Sequence, residues 1–113
     1  MIRIYHNSKC KKSRAGLDYL KNKGVEFEIV EYMKEPPTEK EFEMLLMKLN
    51  AGPEAMVRTQ EDYFKKNLKG KKFNEHEWIK IIQQNPKLLK RPIVEAKYKA
   101  VWGDPVERID EVV

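Results

Sequence analysis

Residues 2–14, IRIYHNSKCKKSR, decide how the chain begins to fold. The apolar residues between Ile2 and Tyr5 are typical of a short strand. Cys10 follows where a helical pattern starts. The apolar or small residues that recur at helical spacing are Ser13, Gly16, Leu17 and Leu20. The stretch therefore predicts a strand that leads directly into a helix, with a cysteine at the junction.

The next residues predict that a second strand returns beside the first. Gly24 is suited to end the helix in a left-handed conformation. An alternating pattern then indicates a strand with one buried face, formed by Val25, Phe27 and Ile29. A strand, a helix and a strand in this spacing are typical of a crossover unit with parallel strands.

The middle of the chain predicts helices. Thr38 and Glu41 have the spacing of a capping box, as do Asn74 and Glu77. The residues expected to face the core are Phe42, Leu45, Leu46 and Leu49 in the first helix, and Trp78, Ile81 and Ile82 in the second. Residues 50–73 are more polar and predict short helices or loops.

The last third predicts two short antiparallel strands with a tight turn near Lys97, followed by a final helix. Asp104 would cap that helix and Pro105 would lie in its first turn. The residues expected to face the core are Val106, Ile109 and Val113. The whole order resembles the thioredoxin-like α/β fold, a four-stranded mixed sheet with flanking helices and a helical insert, in one domain over residues 1–113.

Composition limits the classes of function. The 113 residues include 23 Lys and Arg and 18 Asp and Glu, for a net charge of +5. No basic run reaches five residues, so a solvated surface with local anion sites is expected and a nucleic-acid partner is not. No apolar run approaches the roughly 20 residues of a membrane span, and residues 1–7 carry no signal-peptide core. With a single cysteine, the sequence predicts a cytoplasmic protein without a membrane partner.

Cys10 is the residue most suited to chemistry. The N–H groups and positive dipole of a helix N-terminus stabilise an anion, and the nearby cations add to this effect. Those cations are Lys9, Lys11, Lys12 and Arg14. The alternative is an inert cysteine packed in the core, but its polar neighbours favour a reactive thiolate. One cysteine and two widely separated histidines argue against a metal site.

Two motifs resemble a known family. The run of residues 6–14, HNSKCKKSR, looks like the active-site loop "YHNxxCxxSR" of the glutaredoxin-dependent arsenate reductases, a thioredoxin-fold family that has Spx-like relatives. Residues 91–94 look like the family's "RPIV" segment. The resemblance runs in register over nearly the whole chain, and the two motifs together are specific.

The resemblance implies a role for each matching residue. Cys10 matches the nucleophile that attacks arsenate and forms a thiol–arsenic adduct. Arg58 and Arg91 match arginines that bind the oxyanion, and the planar fork of arginine suits such ligands. His6 matches a histidine that helps to hold the thiolate, and Pro92 matches the cis-proline opposite the thiol.

Each of these residues also has a simpler interpretation. Arg58 and Arg91 could be surface charges. His6 could be a structural histidine at a strand end, with its hydrogen bonds made within the fold. Ser13 and Arg14 could belong only to the first helical turn, and contact with the anion is the alternative for both.

One departure from the family bears on the substrate. Members carry a third arginine in the turn near the C-terminus, whereas residues 101–105 read VWGDP here. Asp104 would repel an oxyanion if it faced the site, and Arg108 lies too far along the chain to substitute. We therefore expect poor reduction of arsenate, with mixed-disulfide formation retained.

The leading functional hypothesis is a thiol-dependent oxidoreductase that acts on a small oxyanion or a thiol substrate. Because the chain has no second cysteine, Cys10 would be recharged by glutathione as co-substrate, with glutaredoxin as the candidate protein partner and no bound cofactor. The alternative is an Spx-like redox-responsive regulator that binds RNA polymerase. Such regulators usually carry a C-x-x-C switch, and here Ser13 occupies the second position.

Overall fold

The computed structural model describes residues 1–113, which form two compact units. The first unit combines residues 1–35 with residues 91–113, so it contains both ends of the chain. The second unit is the intervening segment, residues 36–90. The entire sheet belongs to the first unit.

The sheet has four strands in the order β2-β1-β3-β4. These strands are β1 (Ile2–Tyr5), β2 (Phe27–Val30), β3 (Ile93–Glu95) and β4 (Ala100–Trp102). β1 pairs in parallel with β2, and the other two pairings are antiparallel. The mixed four-stranded sheet and its parallel crossover, both predicted from the sequence, are confirmed.

Helix α1 (Lys11–Lys23) connects β1 to β2. Its buried residues are Ser13, Gly16 and Leu20, which lie on the predicted face. Gly24 ends the helix with φ 70° and donates its N–H to the Lys21 carbonyl. A positive φ is costly for residues with a Cβ, which explains the glycine at this position.

The core of the first unit lies between the sheet and its helices. Its fully buried members are Ile4, Leu20, Val94, Val101 and Ile109. Burying an aliphatic side chain of this kind contributes about 1.5–3 kcal/mol relative to leaving it exposed. These residues come from both ends of the chain, so the core joins the two termini into one unit.

Two predictions in the first unit are wrong. Ile29 is 45% exposed, because β2 is an edge strand whose outer part is not covered. The final helix is a 3-10 helix over Val106–Glu111, and Pro105 rather than Asp104 occupies its cap position. Val106 is only half-buried and Val113, which lies beyond the end of this helix, is 42% exposed.

The second unit contains the two predicted helices, α2 (Glu39–Leu49) and α3 (Glu75–Gln84). Both capping boxes are present. The Thr38 N–H donates to Glu41 at 2.9 Å, and the Glu41 N–H donates to the Thr38 hydroxyl at 3.2 Å. The corresponding distances for Asn74 and Glu77 are 2.9 and 2.8 Å.

The buried face of α3 differs from the prediction. Trp78, Ile79 and Ile82 are buried, whereas Ile81 is half-buried. The helix packs against α2 and also against 3-10 helices at Pro53–Met56 and Pro86–Leu88, so its covered face is wider than one stripe. A π-helix covers Phe64–Leu68. None of the helices has the length and apolar content needed to cross a membrane.

Candidate active site

The loop before α1 is fixed by its own hydrogen bonds. The Asn7 carbonyl accepts the Cys10 N–H at 3.0 Å, and the Asn7 side-chain oxygen accepts the Lys9 N–H at 3.0 Å. The Arg14 guanidinium donates to the Ser8 carbonyl at 3.0 Å. These bonds place Cys10 at the N-cap of α1. Arg14, predicted to bind substrate, is thus a partner of the loop backbone, and its role toward an anion stays a prediction.

The surroundings of Cys10 favour its thiolate. Burial, the largest single influence, raises the pKa of the Cys10 thiol. The Ser13 N–H, the Arg91 guanidinium and the Lys12 N–H act in the opposite direction, and together they lower the pKa below its ordinary value. The two N–H groups act on the sulfur electrostatically, without forming an aligned capping hydrogen bond. A half-buried thiol with a lowered pKa is typical of a reactive cysteine.

Arg91 is held beside Cys10 by the start of β3. The Arg91–Pro92 peptide bond is cis, as the resemblance implies. The Trp102 indole N–H donates to the Arg91 carbonyl at 3.3 Å, and the Gly103 N–H donates to the Pro92 carbonyl at 2.8 Å. The backbone is therefore fixed on both sides of the peptide bond, and the Arg91 guanidinium lowers the pKa of the Cys10 thiol.

Pro92 packs against two glycines that the sequence did not mark as site residues. A Cβ at Gly16 would lie 2.6 Å from the Pro92 ring, and a Cβ at Gly103 would lie 3.2 Å from it. Gly16 belongs to α1, so its missing side chain allows the helix that carries Cys10 to approach the proline closely. The sequence signal that could have indicated this close approach is the glycine on the predicted buried face of α1.

His6 acts on the loop through Ser13. The His6 Nδ1 atom lies 2.7 Å from the Ser13 hydroxyl, which also accepts the Asn7 N–H at 2.9 Å. Because the Ser13 hydroxyl oxygen accepts the Asn7 N–H, its own hydrogen is available to donate to Nδ1, which places the imidazole proton on Nε2. Burial lowers the pKa of His6, in agreement with a neutral ring. Contact of His6 with the thiolate, and of Ser13 with substrate, stay predictions.

An ion pair connects the start of α1 to the turn after β4. The Lys12 ammonium lies 2.7 Å from the Asp104 carboxylate. The prediction that Asp104 caps the final helix is wrong, because Pro105 occupies the cap position. The charge of Asp104 instead neutralises Lys12, one of the cations nearest to Cys10 in sequence. The cationic side chain that lowers the pKa of Cys10 is Arg91.

Arg58 lies in the second unit, where it has an acidic partner. Its guanidinium is 2.7 Å from the Glu61 carboxylate, and both side chains are largely buried, with 22% and 23% exposed. Its backbone N–H donates to the Leu88 carbonyl at 2.7 Å. The pairing of Arg58 with an oxyanion stays a prediction.

Fold and site together define a protein of thioredoxin-like fold with a lone thiol at a helix N-terminus. The ArsC family model matches residues 5–112, and the chain belongs to this family. The chain is 37% identical to an arsenate reductase of Neisseria meningitidis over 114 aligned positions, covering 99% of this chain and 97% of the relative.

Two further relatives support the assignment. The chain is 41% identical to the Escherichia coli protein YfgD, over 99% of this chain and 96% of that one. The solved structure of an arsenate reductase from Vibrio cholerae superposes with a TM-score of 0.93 at 32% identity, covering 99% of this chain and 97% of that one. The four-stranded fold predicted from the sequence is thus confirmed by structural similarity over the full chain.

Proposed function

We propose that this chain is a thiol-dependent reductase in which Cys10 is the nucleophile and an external thiol restores it. The observation that carries the proposal is the position of half-buried Cys10 at the N-cap of α1, where the Ser13 and Lys12 N–H groups and the Arg91 guanidinium lower the pKa of its thiol. The names of the Neisseria and Vibrio relatives support reductase chemistry. A lowered thiol pKa supplies the thiolate that such chemistry requires.

The chemistry that fits one cysteine uses two external thiols. With an oxyanion such as arsenate, the Cys10 thiolate displaces an oxygen as water and forms a sulfur–arsenic bond. A glutathione thiolate then attacks the Cys10 sulfur, and the electron pair of the sulfur–arsenic bond leaves with arsenic, which is released as arsenite. A second thiol, from glutaredoxin or glutathione, attacks the mixed disulfide and frees Cys10. In sum, one arsenate and two thiols give arsenite, a disulfide and water.

The charges around Cys10 make arsenate a poor substrate. A partly desolvated divalent anion requires compensating cations, and each charge-assisted hydrogen bond contributes about 1.5–3 kcal/mol. Arg91 supplies one such cation, whereas the charge of Lys12 is neutralised by Asp104. Attack on a disulfide does not require a dianion pocket, so mixed-disulfide exchange with glutathione is the activity that the site supports best.

A coupled turnover measurement tests the proposal. Wild type and Cys10→Ser are incubated with glutathione and glutathione reductase, and NADPH oxidation is followed with a glutathione mixed disulfide as substrate, or with arsenate and added glutaredoxin. Each rate is compared with that of the same mixture without the protein. We expect turnover of the disulfide above that background, slower turnover of arsenate, and no turnover of either substrate above background in Cys10→Ser. Absence of both activities in wild type, together with capture of an RNA polymerase subunit, would favour the regulator instead.

A further inference from the structure

Five lysines crowd one exposed segment of the second unit. Residues 65–72 read KKNLKGKK, and we call them the lysine segment. The lysines, all exposed, are Lys65, Lys66, Lys69, Lys71 and Lys72. Their five charges equal the net charge of the whole chain, +5. No Asp or Glu lies among residues 65–72, so the segment is locally basic.

The lysine segment has no acidic partners, whereas several lysines elsewhere form ion pairs. Lys23 pairs with Asp110 at 2.7 Å, and Lys99 pairs with Glu111 at 3.1 Å. None of the five lysines of the segment forms an ion pair. Adjacent like charges repel one another, and a bound polyanion would relieve that repulsion.

The backbone under these charges is ordered. Leu68 is buried, with 5% of its surface exposed, and anchors the π-helix that begins at Phe64. The Lys69 N–H donates to the Phe64 carbonyl at 2.9 Å, and the Lys71 N–H donates to the Leu68 carbonyl at 3.0 Å. The ammonium groups thus extend from a fixed support.

An exposed aromatic ring adjoins the lysines. Tyr63 precedes the π-helix and is 43% exposed. The Asn67 side-chain amide donates to the Tyr63 carbonyl at 3.2 Å, which ties the tyrosine backbone to the segment. Cations that follow a phosphate backbone, together with a ring on which a base can stack, are the features that bind single-stranded nucleic acid.

We propose that the lysine segment and Tyr63 form a binding site for single-stranded nucleic acid. A protein partner fits less well, because protein interfaces depend on apolar anchors and Leu68 points inward. A duplex would leave the tyrosine ring without a base to stack on. The sequence criterion of an uninterrupted basic run missed the site, because Asn67, Leu68 and Gly70 separate the lysines. The site does not involve Cys10 and is independent of the proposed reductase function.

Fluorescence anisotropy with a labelled oligothymidylate of about twelve nucleotides tests the site. Each phosphate neutralised on a single strand contributes about 0.7 to the slope of log K against log salt concentration. Engagement of all five lysines predicts a slope of about −3.5, which weakens binding about a hundredfold between roughly 50 and 200 mM salt. Tyr63→Leu should weaken binding at fixed salt at least about fivefold, through loss of stacking.

The charge-matched comparison uses two triple variants. Lys65→Gln, Lys66→Gln and Lys69→Gln remove three charges from the segment. The control replaces three exposed lysines elsewhere with glutamine, namely Lys40, Lys80 and Lys97. The segment variant should lower the slope to about −1.4, and the control should keep it near −3.5. Thermal unfolding of each variant shows that it is folded.

Three results would overturn the proposal. They are absence of binding at the lowest salt concentration, equal losses in the two triple variants, and binding of a duplex or of polyglutamate as tight as that of the oligothymidylate. The last result would mean that the segment attracts any polyanion or an acidic protein instead.

Discussion

Replacing Arg91 with glutamine should make Cys10 a weaker nucleophile near neutral pH. The Arg91 guanidinium lowers the pKa of Cys10 both as a hydrogen-bond donor and as a charge. A hydrogen bond to a charged group contributes about 1.5–3 kcal/mol, and the half-exposed position of Cys10 favours the lower end because water screens the charge. About 1.5 kcal/mol corresponds to a rise of roughly one unit in the pKa of Cys10, and hence to a loss of thiolate of up to about tenfold. Iodoacetamide alkylation near neutral pH should therefore slow by up to that factor.

The pH profile of alkylation separates this effect from a structural one. The midpoint should move to higher pH in Arg91→Gln, while the rate at high pH, where the thiol is ionised in both proteins, should be preserved. Arg108→Gln is the charge-matched control, since Arg108 is exposed and lies 3.4 Å from Glu111. An unchanged midpoint in Arg91→Gln, or equal shifts in both variants, would refute the assignment of Arg91 to the thiolate.

Three further substitutions test the site. Gly103→Arg should raise arsenate turnover about tenfold over Gly103→Ala. The alanine variant is the control, because its Cβ crowds Pro92 and Ile109 in the same way but adds no charge. Equal turnover in the two variants would mean that a missing arginine does not limit arsenate reduction. Gly16→Ala should lower the free energy of unfolding by about 1–3 kcal/mol in urea, because its Cβ would meet Pro92, and a stabilised variant would contradict the packing. The pKa of buried His6 is lowered in the folded state, so the unfolded chain binds more protons and the free energy of unfolding should decrease as the pH falls below about 6.5. His6→Gln should flatten that profile in urea unfolding, and an equally steep profile would assign it to other groups.

Local rules predicted much of the fold. The capping boxes at Thr38 and Asn74 form because each needs only residues three apart, and the left-handed Gly24 follows from glycine's missing Cβ. The parallel crossover was predicted because a strand, a helix and a second strand follow one another with the spacing typical of a parallel crossover unit. Such features depend on neighbours in sequence and need no knowledge of the tertiary structure.

Several predictions that depend on tertiary packing were wrong. Ile79 is buried because α3 is covered from more than one side, and Ile29 is exposed because β2 lies at a sheet edge. Neither the burial of Ile79 nor the exposure of Ile29 can be predicted from the pattern of apolar and polar residues along the chain. Asp104 pairs with Lys12, which lies 92 positions away in sequence. The local pattern at Asp104 and Pro105 predicts a helix cap and gives no indication of this long-range ion pair.

Some residues of the candidate site could be predicted from the sequence, whereas others became apparent only in the folded structure. Cys10 was predicted from its helix start and its cationic neighbours, and the family resemblance supplied Arg91 and the cis bond at Pro92. The roles of Gly16 and Ser13 were missed, because close packing and a buried hydroxyl network become visible only when the loop and the helix are assembled.

The most direct test of the central claim is the rate at which Cys10 forms a mixed disulfide with oxidised glutathione, followed by intact-protein mass and then by release with glutaredoxin. If Cys10 is a thiolate nucleophile, its adduct forms faster near neutral pH than that of a free cysteine and is removed by glutaredoxin with full recovery of the thiol. No adduct, or one that forms no faster than on free cysteine, would contradict a thiolate-based reductase.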